Sequence, residues 1–232
     1  MTATAASLLE ETTTFPVGQT AADEADPMLD LSNVDTGRLS ALPGDLNISF
    51  DVDGVLANFL HAFLQRAEVM GLSRHFPSHW TEVRQWGFGG EFFKYVWKDV
   101  EKDFSFWFKA ITRHEDAYLG TNDDPIVPIA AYITARPVPS KVTQAWLKRF
   151  SFPQAPVVTV GPGQSKLETC KRLGIDLMID DKVSTWEELN ANGVKCLLRT
   201  RPHNDRVEAG DMRLDYLWQL PAKIAELAGG SE

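Results

Sequence analysis

Short apolar runs alternate with longer amphipathic segments along most of the chain after residue 45. Residues 46–50 alternate apolar and polar positions as a strand does, and residues 55–70 repeat apolar positions at helical spacing until Gly71. The alternation continues, with strands predicted at 126–134, 157–160, 177–179 and 194–198 and helices at 140–150, 165–173, 185–192 and 214–227, the last kinked or divided by Pro221. This order predicts an α/β fold, a Rossmann-like parallel sheet with helices on both faces.

Residues 75–120 differ from this pattern in composition. They contain 13 of the 24 aromatic residues of the chain, and a glycine-rich stretch interrupts them at 87–90. We interpret residues 71–120 as an aromatic-rich, mainly helical cap that is inserted after the first strand and helix. Residues 46–70 and 121–232 then form the core domain. Residues 1–45, rich in Ala, Thr and Asp, are predicted to be a disordered arm.

The net charge of −9 is unevenly distributed. The arm contains eight acidic residues and one arginine, a net charge of −7, which leaves −2 for residues 46–232. A protein that follows a nucleic-acid track needs a basic face to neutralise phosphates, so the nearly neutral body argues against such a partner. A single nucleotide stays compatible, because one or two cations can hold its charge.

The cysteines and the N-terminal residues indicate in which cellular compartment the protein is expected. Cys170 and Cys196 lie far apart in apolar segments without a CxxC partner, which predicts buried free thiols rather than a disulfide or a zinc site. No apolar run approaches the roughly 20 residues that span a bilayer. The first 37 residues contain neither Lys nor Arg, so the basic stretch of a signal or transit peptide is missing. We therefore expect a cytoplasmic protein without a membrane partner.

Polar residues follow the predicted strands at one edge of the sheet. Asp51 and Asp53 follow the first strand, and Thr134 ends the second. Lys166 begins the helix after the third strand, and Asp180-Asp181 ends the fourth. Because ligands bind at the carboxyl ends of the strands in a parallel sheet, we expect these side chains to form one site.

This set of residues predicts phosphoryl transfer. Clustered carboxylates repel one another unless a hard cation binds them, and Mg²⁺ favours oxygen ligands together with a substrate phosphate. Asp51 is suited to act as nucleophile and metal ligand. Asp53, which a turn at Gly54 swings back, can protonate the leaving oxygen and later deprotonate water. Thr134 offers a hydroxyl and Lys166 a positive charge to the phosphate, and the acid pair completes the metal shell.

Four motifs carry a family resemblance: Asp51-Val52-Asp53-Gly54-Val55, Thr134 in Tyr-Ile-Thr-Ala-Arg-Pro, Lys166, and Ile179-Asp180-Asp181. Their order and their intervals of 83, 32 and 14 residues resemble the haloacid dehalogenase-like phosphatases. The stretch from Asp51 to Phe59 is similar to the 5'(3')-deoxyribonucleotidases and related nucleotidases. The resemblance covers roughly residues 46–227, and its long first interval is typical of members with a cap between motifs one and two.

The resemblance implies an aspartyl-phosphate intermediate on Asp51 and acid–base catalysis by Asp53. It also implies Mg²⁺ held by Asp51, by the carbonyl of Asp53 and by one acid of the fourth motif, with Asp181 favoured and Asp180 in support. One departure concerns Arg136, because deoxyribonucleotidases usually follow the motif-two Thr with a small residue and Pro. Arg136 is either an additional phosphate contact or part of a structural ion pair.

The aromatic residues of the cap are candidates for stacking on a nucleobase, and alternatively they form the core of the cap itself. Phe106, Trp107 and Phe108 resemble the aromatic cluster that lines the base pocket of deoxyribonucleotidases, although not all three can face one pocket. His203 and Asn204 follow the last predicted strand and are minor candidates for substrate contact. The candidate substrate-binding residues are Phe106, Trp107, Thr134, Arg136 and Lys166.

These features predict a Mg²⁺-dependent phosphomonoesterase acting on a nucleoside monophosphate, with a deoxyribonucleotide as the expected substrate. One alternative is a phosphatase of another small metabolite or of a nucleic-acid end. A second is a non-catalytic protein that binds a nucleotide or a partner through the acidic arm. Two aspartates at the spacing of nucleophile and acid argue against the non-catalytic alternative. The base and sugar preference, the position of the phosphate and a homodimeric state are left open.

Overall fold

The computed structural model describes residues 46–72, 74 and 91–229 of the chain. The predicted arm, residues 1–45, lies outside the described residues, and so does the glycine-rich stretch 87–90 of the predicted cap. The division of the chain into arm, core and cap therefore stays a prediction.

Six parallel strands form one sheet in the described part of the chain. They are β1 (Ile48–Phe50), β2 (Ala131–Thr134), β3 (Val157–Thr159), β4 (Leu177–Asp180), β5 (Lys195–Arg199) and β6 (Arg213–Leu214). Their order is β3-β2-β1-β4-β5-β6, so β1 lies between β2 and β4, and Phe50 is level with both Tyr132 and Ile179. The strand order reverses at β1, and such a switch point is where ligands bind in open α/β sheets.

Helices cover both faces of this sheet. They are α1 (Phe59–Val69), α2 (Glu91–Val100), α3 (Ser140–Arg149), α4 (Leu167–Arg172), α5 (Val183–Ala191) and α6 (Leu220–Gly229). Successive side chains of a strand point to opposite faces. Ile179 of β4 therefore joins one buried cluster with side chains of α1, α3 and α6, and Met178 joins a second cluster with side chains of α4 and α5. The predicted parallel α/β sheet with helices on both faces is confirmed.

The described part of the predicted cap contains α2 and a π-helical turn, Phe106–Ala110. Aromatic packing joins the turn to α1, because the rings of Phe59 and Trp107 stack with 5.5 Å between their centroids. The turn is also tied to α3, since Nη1 of Arg149 donates a hydrogen bond to the Phe108 carbonyl at 2.6 Å. This segment is thus fastened to two helices of the predicted core.

Two elements begin four and five residues later than the sequence predicts. The first helix begins at Phe59 rather than at residue 55. The amides of Leu56 and Ala57 instead donate to the Val52 carbonyl at 2.9 and 2.8 Å, which makes this stretch a turn. The second strand begins at residue 131 rather than 126. Pro128 lies in the stretch that was predicted as strand but is not part of it, and proline has no N–H to donate to a neighbouring strand.

The last predicted helix, residues 214–227, divides into three elements. Leu214 belongs to β6, a 3₁₀ turn follows at Leu217–Gln219, and α6 comes after it. Pro221 lies in the first turn of α6, where its missing N–H has no partner to lose, and the predicted helix is divided just before it. None of the helices in the described part of the chain is both long and apolar enough to cross a membrane.

Candidate active site

The loop after β1 carries the first two candidate acids to the carboxyl edge of the sheet. Asp51 leaves the sheet while its amide still donates to the Ile179 carbonyl at 2.8 Å. Gly54 has a φ of +82°, and a Cβ atom at this position would lie 1.9 Å from Oδ2 of Asp181. Only glycine suits both this backbone conformation and this contact. The loop therefore packs directly against the end of β4.

Arg201, which follows β5, is fastened to the same loop. Its Nε donates a hydrogen bond to the Gly54 carbonyl, and its Nη2 donates to the Val55 carbonyl at 3.2 Å. Burial, and then the charge of Arg199, lowers the pKa of Arg201 to about 10, so the guanidinium stays charged at neutral pH. Sequence analysis did not identify Arg201, although its place just after a predicted strand was a signal for this edge.

Three buried carboxylates meet beside the loop. Asp51, Asp180 and Asp181 each offer an oxygen within 4.8 Å of the others, and the residues are 8%, 0% and 9% exposed. Burial raises the pKa of Asp51 well above its usual value, an effect that Lys166 opposes and the neighbouring aspartates reinforce. A cation favours the charged form of such a cluster. Three carboxylates are a donor set that fits a hard divalent cation such as Mg²⁺.

Lys166 bridges two of these carboxylates. Its Nζ lies 2.8 Å from Oδ1 of Asp51 and 2.8 Å from Oδ2 of Asp180. Burial alone would lower the pKa of Lys166, but Asp180 and Asp51 outweigh burial and raise the pKa. The ammonium is therefore charged at physiological pH and places a fixed positive charge beside Asp51.

The two adjacent acids at the end of β4 have different environments. Asp180 accepts hydrogen bonds on both carboxylate oxygens, from Lys166 Nζ and from the Lys182 amide, each at 2.8 Å. Asp181 lines a cavity, and His203 Nε2 lies 3.1 Å from its Oδ2. Burial would raise the pKa of Asp181, but the hydrogen bond and charge of His203 lower it. Asp181 is thus the ionised acid at the cavity, whereas Asp180 orients Lys166.

His203 and Asn204 lie beside Asp181, at the edge where the sequence placed them. Asn204 is 1% exposed, and its Nδ2 donates to the carbonyls of Asp181 and Arg199 at 2.7 and 2.8 Å. Asn204 therefore holds the loop after β4 in shape. His203 lines the cavity itself.

Thr134 ends β2 at the same edge, and its side chain is fully buried. Its carbonyl accepts a hydrogen bond from the Val160 amide at 2.8 Å, while its Oγ1 has no hydrogen-bond partner among the residues that the structure describes. Buried side-chain polar atoms in native proteins mostly have a partner. The Thr134 hydroxyl is therefore a buried donor and acceptor that the described residues leave unpaired.

Arg136 holds the second acid of the first motif. Its Nε and Nη2 donate to Oδ2 and Oδ1 of Asp53 at 2.9 and 2.8 Å. The arginine side chain is 0% exposed, and its Cζ lies 5.5 Å from the ring centroid of Trp107 and 5.0 Å from that of Trp146. Of the two roles considered for Arg136, the structure contains the ion pair, while Nη1 of the buried guanidinium has no hydrogen-bond partner among the described residues.

Phe106 and Trp107 do not line the cavity, contrary to the expectation that they bind the substrate. They are 3% and 1% exposed, and Nε1 of Trp107 donates to the Val100 carbonyl at 2.9 Å. Their rings pack on Phe59 with centroid distances of 6.2 and 5.5 Å. They form the core between the cap segment and α1, which is the alternative considered for the cap aromatics.

A cavity of about 730 Å³ lies beside the acids. Three aromatic rings from α1 and α2 line it, so other aromatic residues occupy the place expected for Phe106 and Trp107. The cavity joins the acidic cluster to an aromatic surface. The apolar lining includes Phe59, Leu60, Phe93 and Trp97, and the polar lining includes Asp53, Asp181, Arg201 and His203.

Two further polar residues of the lining, Asn58 and His114, were not identified from the sequence. Asn58 directly precedes Phe59 at the end of the first-motif stretch, and this position was the signal that could have indicated it. His114 lies in the segment that leaves the predicted cap, and no local pattern marks it.

The fold and the site together define a parallel α/β protein with a carboxylate–lysine cluster at the switch point of its sheet. No protein-family model matches the chain, and no curated protein matches its sequence. Among solved structures, an L-2-haloacid dehalogenase is similar with a TM-score of 0.48 and 12% identity, covering 78% of this chain and 98% of that chain. A HAD-superfamily hydrolase of subfamily IA, variant 1, from Geobacter sulfurreducens has a TM-score of 0.42 and 16% identity, covering 79% and 96%. At these levels of similarity the activity has to be inferred from the residues of the chain itself.

Proposed function

We propose that the protein is a Mg²⁺-dependent phosphomonoesterase that removes phosphate from a nucleoside monophosphate. The observation that carries this proposal is Lys166 between Asp51 and Asp180, next to Asp181 and to a cavity with an aromatic wall. A charged ammonium beside a nucleophilic carboxylate stabilises the negative charge of a transferring phosphoryl group. A structural ion pair alone would not need further buried acids at the same point.

The acids of the site divide into those that would hold Mg²⁺ and those that support them. Asp51, Asp181 and the backbone carbonyl of Asp53 would be the ligands. Asp180 is less suited to direct contact, because both of its oxygens already accept hydrogen bonds. When bound, Mg²⁺ offsets the negative charge of the carboxylates and of the substrate phosphate.

Asp51 is the nucleophile of the first step. Its carboxylate oxygen attacks the phosphorus atom, the bond between phosphorus and the ester oxygen breaks, and the phosphoryl group is transferred to Asp51. Asp53 gives a proton to the leaving oxygen, so the nucleoside departs as a neutral alcohol. The hydroxyl of Thr134 and the ammonium of Lys166 bind phosphoryl oxygens during the transfer.

Asp53 is the base of the second step. It takes a proton from a water molecule, whose oxygen attacks the phosphorus of the aspartyl phosphate. The bond between phosphorus and the Asp51 oxygen breaks, inorganic phosphate leaves, and Asp53 is protonated for the next cycle. The ion pair with Arg136 does not prevent this protonation. Each carboxylate oxygen of Asp53 accepts one hydrogen bond from Arg136 and keeps a further lone pair that can bind the proton.

The cavity favours a nucleoside as the leaving group. Phe59, Phe93 and Trp97 offer aromatic surface to a nucleobase, and such stacking contributes about 1–3 kcal/mol per base. A volume of about 730 Å³ is within the range of small-molecule sites. A sugar phosphate has no flat apolar face that would use this wall. A deoxyribonucleotide is the member of the class that we expect.

The test is the release of inorganic phosphate, in the presence of Mg²⁺, from ribo- and deoxyribonucleoside monophosphates, sugar phosphates and phenyl phosphate. We expect a higher kcat/KM for nucleotides than for sugar phosphates. Asp51→Asn should abolish turnover, whereas Asp124→Asn, the same change at an exposed loop residue, should retain it. Turnover by Asp51→Asn at the wild-type rate would disprove the mechanism, and an equal kcat/KM for sugar phosphates would disprove the nucleotide assignment.

A further inference from the structure

Two short segments pair beside the cavity, one leading from the loop after β1 into α1 and the other leading away from the π-helical turn. The Asn58 amide donates to the Thr112 carbonyl and the His114 amide to the Leu56 carbonyl, each at 2.8 Å, in an antiparallel arrangement. Side chains alternate across such a pairing, so Asn58 and His114 lie on the same face of it. Both residues line the cavity.

Each of these residues carries a buried polar atom that no described residue binds. Asn58 Oδ1 and His114 Nε2 have no hydrogen-bond partner in the described part of the chain. Asn58 is the N-cap residue of α1, where asparagine usually accepts a hydrogen bond from the first helical turn, yet its side chain makes no capping hydrogen bond. Since buried polar atoms are mostly paired in native proteins, two unused ones in one cavity wall indicate a ligand.

The chemistry of this part of the wall restricts the ligand group that it can bind. Burial, and then the charge of Arg201, lowers the pKa of His114 to about 3, so the imidazole is neutral at physiological pH. The amide of Asn58 is uncharged as well. The same wall includes the apolar side chains of Phe59 and Leu60. The two uncharged polar side chains and the apolar wall suit an uncharged group with a flat apolar face and a hydrogen-bonding edge.

We propose that Asn58 and His114 form a specificity subsite that hydrogen-bonds the polar edge of a nucleobase in the leaving group. This inference rests on the proposed phosphomonoesterase activity and adds the residues that select among phosphomonoesters. A flat leaving group without a polar edge leaves both protein atoms unpaired, which weakens its binding relative to a nucleoside.

The experiment compares two substrates in each variant: the nucleoside monophosphate that the wild type hydrolyses best, and phenyl phosphate, whose ring has no hydrogen-bonding edge. Asn58→Leu and His114→Leu remove the polar atoms and keep an apolar side chain in the wall. Each is expected to lower the ratio of the nucleotide kcat/KM to the phenyl phosphate kcat/KM about ten-fold, the effect of one lost hydrogen bond. His114→Gln, which keeps a hydrogen-bonding group, is expected to retain most of the wild-type ratio.

Thr143→Val is the matched control. The Oγ1 of Thr143 is also buried and without a partner among the described residues, but Thr143 lies on α3 and does not line the cavity. This variant should leave the ratio unchanged. The unfolding temperatures of the two leucine variants should equal or exceed that of the wild type, because an apolar group replaces an unpaired polar one. A lower ratio would then not reflect a damaged fold.

A ratio that stays at the wild-type value in both leucine variants would overturn the subsite, even if all variants remain active phosphatases. Calorimetric titration with the free nucleoside supplies a measurement that does not depend on turnover. If nucleoside binding weakens in the leucine variants although no phosphomonoester is hydrolysed, the subsite stands and the proposed activity fails. Equal nucleoside binding by the wild type and both variants would contradict the subsite directly.

Discussion

Arg136 donates two hydrogen bonds to Asp53, at 2.9 and 2.8 Å, and its guanidinium lies over the rings of both Trp107 and Trp146. Trp107 belongs to the segment predicted as the cap, and Trp146 belongs to α3. A bidentate pair sets the orientation of a carboxylate as well as its position. The residue proposed as acid and base is therefore oriented through contacts from two separate parts of the chain.

Arg136→Lys is expected to lower kcat about ten- to a hundred-fold with little change in KM, because lysine cannot make the bidentate pair that orients Asp53. Steady-state kinetics on the best nucleotide substrate measure both constants. Arg149→Lys is the control, since Arg149 also lies over an aromatic ring, 5.6 Å from the Phe108 centroid. A higher KM at unchanged kcat would show that Arg136 binds the substrate instead.

Mg²⁺ is expected to raise the unfolding temperature of the wild type, because a ligand of the folded state alone stabilises it by about 2.7 kcal/mol at a hundred times its Kd. Asp181→Asn should remove most of this shift. Asp180→Asn should instead lower the unfolding temperature of the metal-free protein, since Lys166 and the Lys182 amide lose a charged acceptor. Differential scanning calorimetry with and without Mg²⁺ separates the two effects. Equal Mg²⁺ shifts in both variants would contradict the preference for Asp181.

Gly54→Ala is expected to destabilise the protein and to displace the Asp181 carboxylate, because the added Cβ would lie 1.9 Å from Oδ2. Gly193→Ala is a matched control: its φ of +83° is nearly the same, but no atom lies within 4 Å of the added Cβ. In the control, the free energy of unfolding should fall only by about 1–2 kcal/mol, the amount that a left-handed backbone conformation costs alanine. Urea unfolding gives both free energies, and equal losses would mean that the contact with Asp181 contributes nothing.

The stability of the wild type should fall as the pH drops, in part because of His114. Burial, and then Arg201, lowers the folded-state pKa of His114 from 6.5 to about 3, so between these values the unfolded chain binds a proton that the folded protein does not. The free energy of unfolding therefore declines with falling pH, by up to about 1.4 kcal/mol per pH unit from this group. In urea unfolding at about pH 4.5 and about pH 7.5, His114→Gln should show a smaller difference than the wild type. An equal difference would argue against a buried neutral imidazole.

The order of β1 to β5 and of the helices between them was predictable from the sequence, because hydrophobic periodicity is a local property of the chain. The two-residue strand β6 was missed, since it overlaps a stretch predicted as helix. The site edge was predictable for a related reason. Parallel strands with helical connections bring all of their carboxyl ends to one side, so Asp51, Thr134 and Lys166 had to lie near one another once the strands were assigned. The Asp180-Asp181 pair followed from the same rule, although not the different environments of its two members.

The partner of Arg136 was not predictable, since Arg136 and Asp53 are 83 positions apart and no short-range pattern indicates that they pair. The sequence left a phosphate contact and an ion pair as alternatives, with Arg136 among the candidate substrate-binding residues. Only the tertiary structure brings Asp53 to this guanidinium, which needs an acceptor within its own surroundings once it is removed from solvent.

For the aromatic residues, too, the sequence determined one property and the tertiary structure another. The sequence determined that the segment around α2 and the π-helical turn is rich in aromatic rings, and it left base stacking and a cap core as alternatives for them. Only the tertiary structure decided that Phe106 and Trp107 pack on Phe59, while Phe93 and Trp97 line the cavity. Composition gives the amount of apolar surface to be buried, but which ring is covered depends on packing against side chains far away in the sequence.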